Sequence, residues 1–156
     1  MKIPELFISL RDDGLLFDMD IEFAVFVCGV AEGTDINMDS LFSASVFASN
    51  SVLRNKDICL DLGKLAGKPF SEYFASVGDE SEIEEHSAGL GNSFFPPLAK
   101  WTEDLKASGT TGKPGEDKIF ILDEKKRFYL HKYWQYENSL AVKTVNRIRN
   151  STAGPD

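Results

Sequence analysis

The chain has 156 residues, 42 % of them apolar, and a formal net charge of −8. That is one domain's length with enough apolar material for a real core, which excludes global disorder. The acidic balance excludes a free-standing domain that grips nucleic acid by neutralising phosphates, so any nucleic-acid role has to run through another domain or subunit. The two cysteines, Cys28 and Cys59, fall in a helical and a strand pattern and read as reduced, buried core thiols rather than a disulfide. No apolar run reaches membrane-spanning length, and the first residues lack the apolar core of a signal peptide. The expected compartment is therefore the cytoplasm, with no membrane contact.

In chain order, residues 4–10 read as a short helix with Pro4 in its first turn, ended near Gly14. Asp18 is the expected N-cap of a second helix. Its residues Ile21, Ala24, Val25 and Cys28 share one side, while Phe23, Phe26, Val27 and Val30 cover most of the rest. A helix apolar nearly all round is expected at the centre of the core. Asn37 or Asp39 caps a third helix to about Val52, with Leu41, Ala44, Ser45 and Ala48 as a stripe of mostly small residues that admits a close neighbour; Phe42, Val46, Phe47 and Leu53 are expected buried too. Residues 57–62 alternate as a strand, followed by a turn at Gly63 and a short element ending at Gly67. Residues 69–77 read as a short helix anchored by Phe70, Tyr73 and Phe74.

From 78 to 97 the pattern weakens into an acidic surface loop, with Asp79, Glu80, Glu82, Glu84 and Glu85 at its start. Residues 98–106 read as a helix with Trp101 and Leu105 inward, and 108–116 as an internal linker rich in Gly, Thr and Lys. Residues 119–122 and 127–130 form a β-hairpin around a charged turn, expected to pair with the strand at 58–60. The chain then enters a helix from His131 to Ile148, with Trp134, Ala141, Val145 and Ile148 on a buried face and Trp134 as a packing hub. The fold class is α+β, mostly helical, with a small antiparallel sheet of hairpin plus one strand leading into a C-terminal helix. Residues 1–150 make the domain and 151–156 a patternless, disordered tail.

The search for chemistry finds no catalytic, cofactor-binding or metal-binding residue. Gly109-Thr110-Thr111-Gly112-Lys113-Pro114 looks superficially like a phosphate-binding loop. Ala107 stands where the first Gly belongs, Pro114 where a magnesium-binding hydroxyl belongs, and no apolar strand precedes it. The acidic run lacks the ligand spacing of a calcium loop, and His86 and His131 pair with no Cys at zinc spacing. Glu137 lies beside the buried face of the last helix, where a structural carboxylate is favoured over a lone acid–base group. Tyr129, Tyr133, Trp134 and Tyr136 read as core and interface aromatics, with a base-stacking platform for single-stranded nucleic acid as the alternative. A binding or docking module is what remains, with Phe23, Tyr129, Tyr133, Trp134, Tyr136 and Glu137 as structural or interface candidates.

Three blocks carry a family resemblance. Asp18-Met19-Asp20-Ile21-Glu22-Phe23-Ala24 resembles an Asp-x-x-Phe-Ala helix start. Residues 41–49 followed by 57–62 resemble a Leu-Ala-Ala helix and a Val-Cys-Leu-x-Leu strand. Residues 128–137, continued by Leu140-Ala141, resemble Leu-Tyr-Leu-x-Arg-x-Trp-x-x-Glu, with Lys132 in place of the usual Arg. Together they resemble the N-terminal domain of RecD, the alpha subunit of exodeoxyribonuclease V. The resemblance implies a parent that is an ATP-dependent 5′-to-3′ DNA helicase subunit in double-strand break repair and recombination. It implies a domain that hydrolyses no ATP, contacts the gamma subunit (RecC-like) in a complex that also holds the beta subunit, and meets DNA only through the whole complex. ATP and magnesium belong to the parent's motor, whose ATP-binding loop lies further along in that family than Asp156, so no catalytic residue carries over.

Overall fold

A computed structural model describes residues 3–31, 36–75 and 92–132. The first helix, α1 (Glu5–Asp12), buries Phe7 and Leu10 and ends at Asp13. Gly14 follows at a φ of +82°, a left-handed conformation that glycine adopts without a Cβ clash, and its N–H donates to the Arg11 carbonyl. The chain then turns back so that the Leu15 and Leu16 N–H groups both donate to the Leu10 carbonyl, and both leucines enter the core.

The second helix, α2 (Asp18–Val30), starts one residue earlier than an Asp18 cap requires: Phe17 is the N-cap and Asp18 the first helical residue. The carboxylate that satisfies this helix start is Asp20, whose Oδ2 accepts the Phe17 N–H at 2.8 Å. The third helix, α3 (Met38–Leu53), is capped by Asn37, whose side chain accepts the Asp39 N–H at 3.0 Å. Every residue of α3 from Ser40 to Ser51 is buried. The expected centrality of α2 is thus corrected: α3 is the hub, with α2, the helix α6 (Leu98–Ala107) and the strands β1 (Cys59–Asp61) and β4 (Arg127–Leu130) packed around it. Its Ser and Ala side chains let neighbours approach from several sides, whereas the bulky residues around α2 keep one face of that helix uncovered. Leu53, at the end of α3, is 39 % exposed rather than buried.

The sheet is built from β1 (Cys59–Asp61), β2 (Thr111–Gly112), β3 (Phe120–Leu122) and β4 (Arg127–Leu130), in the order β1-β4-β3-β2. The expected hairpin pairs antiparallel as Phe120 with Leu130, Ile121 with Tyr129 and Leu122 with Phe128. The expected third strand pairs with β4, Leu60 opposite Phe128. Asp123 closes the hairpin: its carboxylate accepts the N–H groups of Lys125 and Arg127, and the Arg127 Nε at 2.7 Å, while Lys126 takes a φ of +64°. The addition is β2, which runs parallel to β3 and makes the sheet mixed. It comes from the segment read as a linker. Ser108, Thr110 and Thr111 are buried there, and the Ser108 and Thr110 hydroxyls lie 2.7 Å apart. The Ser108 hydroxyl also donates to the Leu105 carbonyl at 2.6 Å, so these two polar side chains find partners inside the fold, which composition alone does not reveal.

Two short helices follow β1: α4 (Leu62–Leu65), which packs on β4, and α5 (Ser71–Ala75), whose Tyr73 and Phe74 pack on Phe47 of α3. Gly63 lies inside α4 instead of forming a turn, and Gly67 ends that element at a φ of +74°. Residues 92–97, read as the end of a loop, are anchored: Pro69 bridges to Phe94, Phe70 N–H donates to the Ser93 carbonyl, and Phe95 is 1 % exposed. Phe47 of α3 stands among Phe7, Phe70, Tyr73, Phe74 and Phe95, with ring centroids 4.7–6.2 Å away and mostly edge-on. The acidic run at 79–85 and the helix expected beyond Lys132 lie outside the described residues.

Candidate functional site

Two arrangements merit a functional reading, and both are built on α2. The first is internal. Asp20 is 0 % exposed and its carboxylate accepts three donors: Phe17 N–H, Ser49 Oγ at 2.6 Å and Asn50 Nδ2 at 2.9 Å. Asn50 Nδ2 also reaches the Leu15 carbonyl, which takes Arg54 Nη1 at 2.8 Å. Asn50 Oδ1 accepts the Tyr73 hydroxyl at 2.7 Å, and the Tyr73 oxygen in turn accepts Asn55 Nδ2 at 3.1 Å. One chain of hydrogen bonds thus fastens the α1–α2 turn, α3 and α5 together. A buried carboxylate with its lone pairs occupied by rigid donors is a structural fastener, because no face of it is open to a substrate.

Burial pushes the Tyr73 hydroxyl above the ordinary phenol value of 10.0. The folded state therefore favours the neutral phenol. Its contribution to stability is intact below the unfolded value near 10 and is lost as pH rises through the higher folded value. An ultraviolet titration is expected to show Tyr73 ionising only together with alkaline unfolding, and Tyr73→Phe is expected to flatten the alkaline limb of the stability curve. Burial, aided by the Asp39 charge, likewise raises the Cys28 thiol to about 11. Neither cysteine is in a disulfide; Cys28 is buried, as expected, whereas Cys59 is partly exposed.

The second arrangement faces outward. Met19, Phe23, Phe26 and Val30 recur at steps of four, three and four, which places them in one stripe along α2. Met19 is 62 % exposed, Phe26 58 % and Val30 47 %, and Phe17 at the N-cap is 41 % exposed. Phe23 is half-buried and packs edge-on against Phe120 at 5.7 Å, so the stripe is rooted in the sheet. At the Val30 end it meets a shallow concavity of about 450 Å³ lined by Thr110, Asp117, Ile119 and His131 among others. Glu22, exposed, edges the stripe with negative charge, while Asp18 at its start pairs with Arg11 Nε at 3.4 Å. A contiguous ridge of large apolar side chains on a soluble surface marks an interaction site more often than an accident of packing.

Of the six residues singled out from the sequence, Phe23 joins this ridge. Tyr129 is 3 % exposed, paired between Cys59 and Ile121, with the Arg127 guanidinium 5.9 Å from its ring centroid; it is a core residue with no face for a base. Tyr133, Trp134, Tyr136 and Glu137 lie outside the described residues. Met19, Phe26 and Val30 were missed as surface residues. Their signal was present: apolar side chains all round a helix cannot all be covered when one neighbouring helix takes one side. The phosphate-loop lookalike is excluded by geometry, since Thr111 and Gly112 form β2 and lead into a turn at Pro114–Gly115 rather than a helix. Among the described residues no cluster of three or more His, Cys, Asp or Glu is placed to hold a metal ion, and no helix is long and apolar enough to cross a membrane.

Fold and surface together define an α+β domain with a helical hub, a buried polar fastener and an apolar helix face turned to solvent. The family model described as RecBCD enzyme subunit RecD, N-terminal domain, matches residues 12–129, most of the chain, and the chain belongs to that family. No curated protein matches it. The family places the chain in the context of the RecD subunit, and the Asp-x-x-Phe-Ala block acquires a physical meaning. Asp20 is the fastener, Phe23 roots the ridge on Phe120, and Ala24, 0 % exposed, lies on the buried side of α2.

Proposed function

We propose that this chain is the N-terminal docking domain of the alpha subunit of an exodeoxyribonuclease V enzyme. In this reading it does no chemistry itself. It binds the gamma subunit, alongside the beta subunit, and so holds the parent's ATP- and magnesium-dependent 5′-to-3′ helicase motor over the exit path of one DNA strand during break repair and recombination in the cytoplasm. The observation that carries the reading is the family match over residues 12–129. The outward apolar ridge supports it, because a docking domain needs a desolvatable surface.

The test is co-expression of the chain with the gamma and beta subunits of the same source. A stoichiometric complex surviving gel filtration is the expected result; a chain that elutes alone at micromolar concentration refutes the docking role. Direct single-stranded nucleic-acid binding is the second reading. It loses Tyr129 as a stacking surface but gains a shallow concavity of about 660 Å³ where Lys106, Lys113, Lys125, Lys126 and Arg127 outnumber Asp123 and Glu124. Binding of an oligonucleotide by the chain alone, steeply weakened by salt, is the result that would favour it.

A further inference from the structure

We propose that the cavity between the first turns of α1, α3 and α6 is a binding site for an aromatic ring carrying a neutral hydrogen-bond acceptor, such as an amide carbonyl. It is independent of the docking role and of the α2 ridge. The cavity holds about 560 Å³, and small-ligand sites run from about 300 to 1,000 Å³. Its floor is aromatic. Phe7 of α1, Phe42 of α3, Phe70 and Phe95 line it, and each is at most 6 % exposed. Phe7 packs on Phe42 at 5.2 Å and on Phe70 at 5.9 Å, and Phe70 packs on Phe95 at 4.7 Å, so the floor is set before any ligand arrives. Phe94 stands at the mouth, 58 % exposed, on a backbone held by its bridge to Pro69. A ring entering here meets other rings, and such contacts are worth more than their buried area alone.

Ser40 is what makes this hollow a site. It lines the cavity and is 1 % exposed, yet its Oγ has no hydrogen-bond partner among the described residues. The rest of the residue is engaged. Its N–H donates to the Asn37 carbonyl, and its own carbonyl accepts the Trp101 indole N–H at 3.1 Å. Ser45 of the same helix shows the usual outcome, its Oγ donating to the Leu41 carbonyl at 2.7 Å. A buried hydroxyl without a partner destabilises the fold, and an acceptor on a ligand removes that penalty. More donors stand at the opposite wall. The first turn of α6 follows Pro97, which gives it no side-chain cap, and holds no acidic residue.

Charge narrows the class. Among the described residues, Asp39 and Lys100 are the charged side chains of the lining. They are of opposite sign and both exposed, and Lys100 Nζ already holds Asp104 at 3.0 Å. The balance favours neither a cation nor an anion, so the acceptor is neutral. A free small molecule carries such a group, and so does an aromatic residue of a polypeptide, whose ring and main-chain carbonyl lie together.

The test is a titration of the isotope-labelled chain with N-acetyl-phenylalaninamide, followed by amide chemical shifts. Saturable shifts at Ser40, Ser43, Phe95 and Lys100 are expected, with a dissociation constant of about 1 mM or tighter. N-acetyl-phenylalanine, the carboxylate counterpart, is expected to bind more weakly, and tighter binding by it overturns the neutral class. Ser40→Ala removes a hydroxyl that the chain leaves unpaired. It is expected to keep or raise the melting temperature while weakening the probe about 5-fold. A fall of several degrees in that variant shows that the hydroxyl is bonded within the fold and overturns the proposal. No saturation at about 10 mM probe, or shifts confined to α2, also overturns it. Saturation transfer to the probe in the complex with the gamma and beta subunits then separates the sources. Loss of the signal assigns the cavity to an aromatic residue of a partner, and an unchanged signal assigns it to a free small molecule. The titration of the chain alone decides the site whether or not that complex forms, so a failure of the docking role is seen separately.

Discussion

Trp101→Ala is expected to be the most damaging single substitution in the described structure, lowering stability by about 3–5 kcal/mol. Trp101 is 0 % exposed in α6, stacks on Phe95 at 5.3 Å and 24°, and donates its indole N–H to the Ser40 carbonyl of α3 at 3.1 Å. Truncation removes the largest fully buried side chain at the joint between α6 and α3. Phe95, which ties residues 92–97 to the core, loses its stacking partner with it. For a chain of this size that is a fall of roughly 6–20 °C in melting temperature, read by calorimetry. Trp101→Phe is the control: it retains an aromatic ring against Phe95 and is expected to lose less than half as much. A Trp101→Ala protein that melts with the wild type would show that α6 is not part of the core. The sequence reading gave the hub role to Trp134, which lies outside the described residues; for Trp101 it specified only that the side chain points inward, and it does.

The second large effect is at the fastener. Asp20→Ala is expected to cost about 3–5 kcal/mol, because it strands two buried donors and one partly buried N–H. Ser49 Oγ, Asn50 Nδ2 and the Phe17 N–H all point at that carboxylate. Asp20→Asn separates shape from chemistry. It keeps the volume but replaces one acceptor oxygen with an NH₂ that must face Ser49 or Asn50, so it is expected to remain well below wild type. Pairing Asp20→Ala with Asn50→Ala in a double-mutant cycle is expected to give strong positive coupling, since the second substitution removes a donor that the first left unpaired. Additive losses from urea unfolding would show that the two residues act independently, and the single-network description would fail.

These two residues mark the limits of what the sequence could tell. Hydrophobic period placed Trp101, Leu105, Phe70, Tyr73 and Phe74 inward, because burial of large apolar residues at helical spacing is a local signal. Helix starts were nearly legible too. Asn37 was one of two expected caps, while Asp18 was expected at the cap position that Phe17 holds, because an Asp at a helix start is a common cap and a carboxylate reaching back from the third helical residue leaves a fainter trace. Nothing local distinguished Asp20, buried against α3, from Asp18 two residues earlier in the same helix, exposed beside Arg11.

The candidate interface was legible in one residue. Phe23 was named, but as one of several aromatics. That Phe26 and Val30 stay in water while Val27 does not depends on which side of α2 the third helix occupies, and periodicity has no means of choosing a side when all sides are apolar. The two-residue strand β2 was hidden for a different reason. Its Ser, Thr and Gly are linker residues by composition, and they become strand only because β3 offers an open edge beside them.

Alone, then, the sequence determined the class of fold, the hairpin and its third strand, most helix positions, and the family. Each of these rests on spacing within a few turns or strands, or on blocks whose order survives without coordinates. The tertiary structure decided which helix is the hub, which of two neighbouring aspartates is the fastener, and which apolar face remains outside. Those outcomes depend on contacts between residues 29 or more positions apart, as Asp20 with Ser49 and Trp101 with Ser40 show, and the packing of a close-fitted interior settles them all at once.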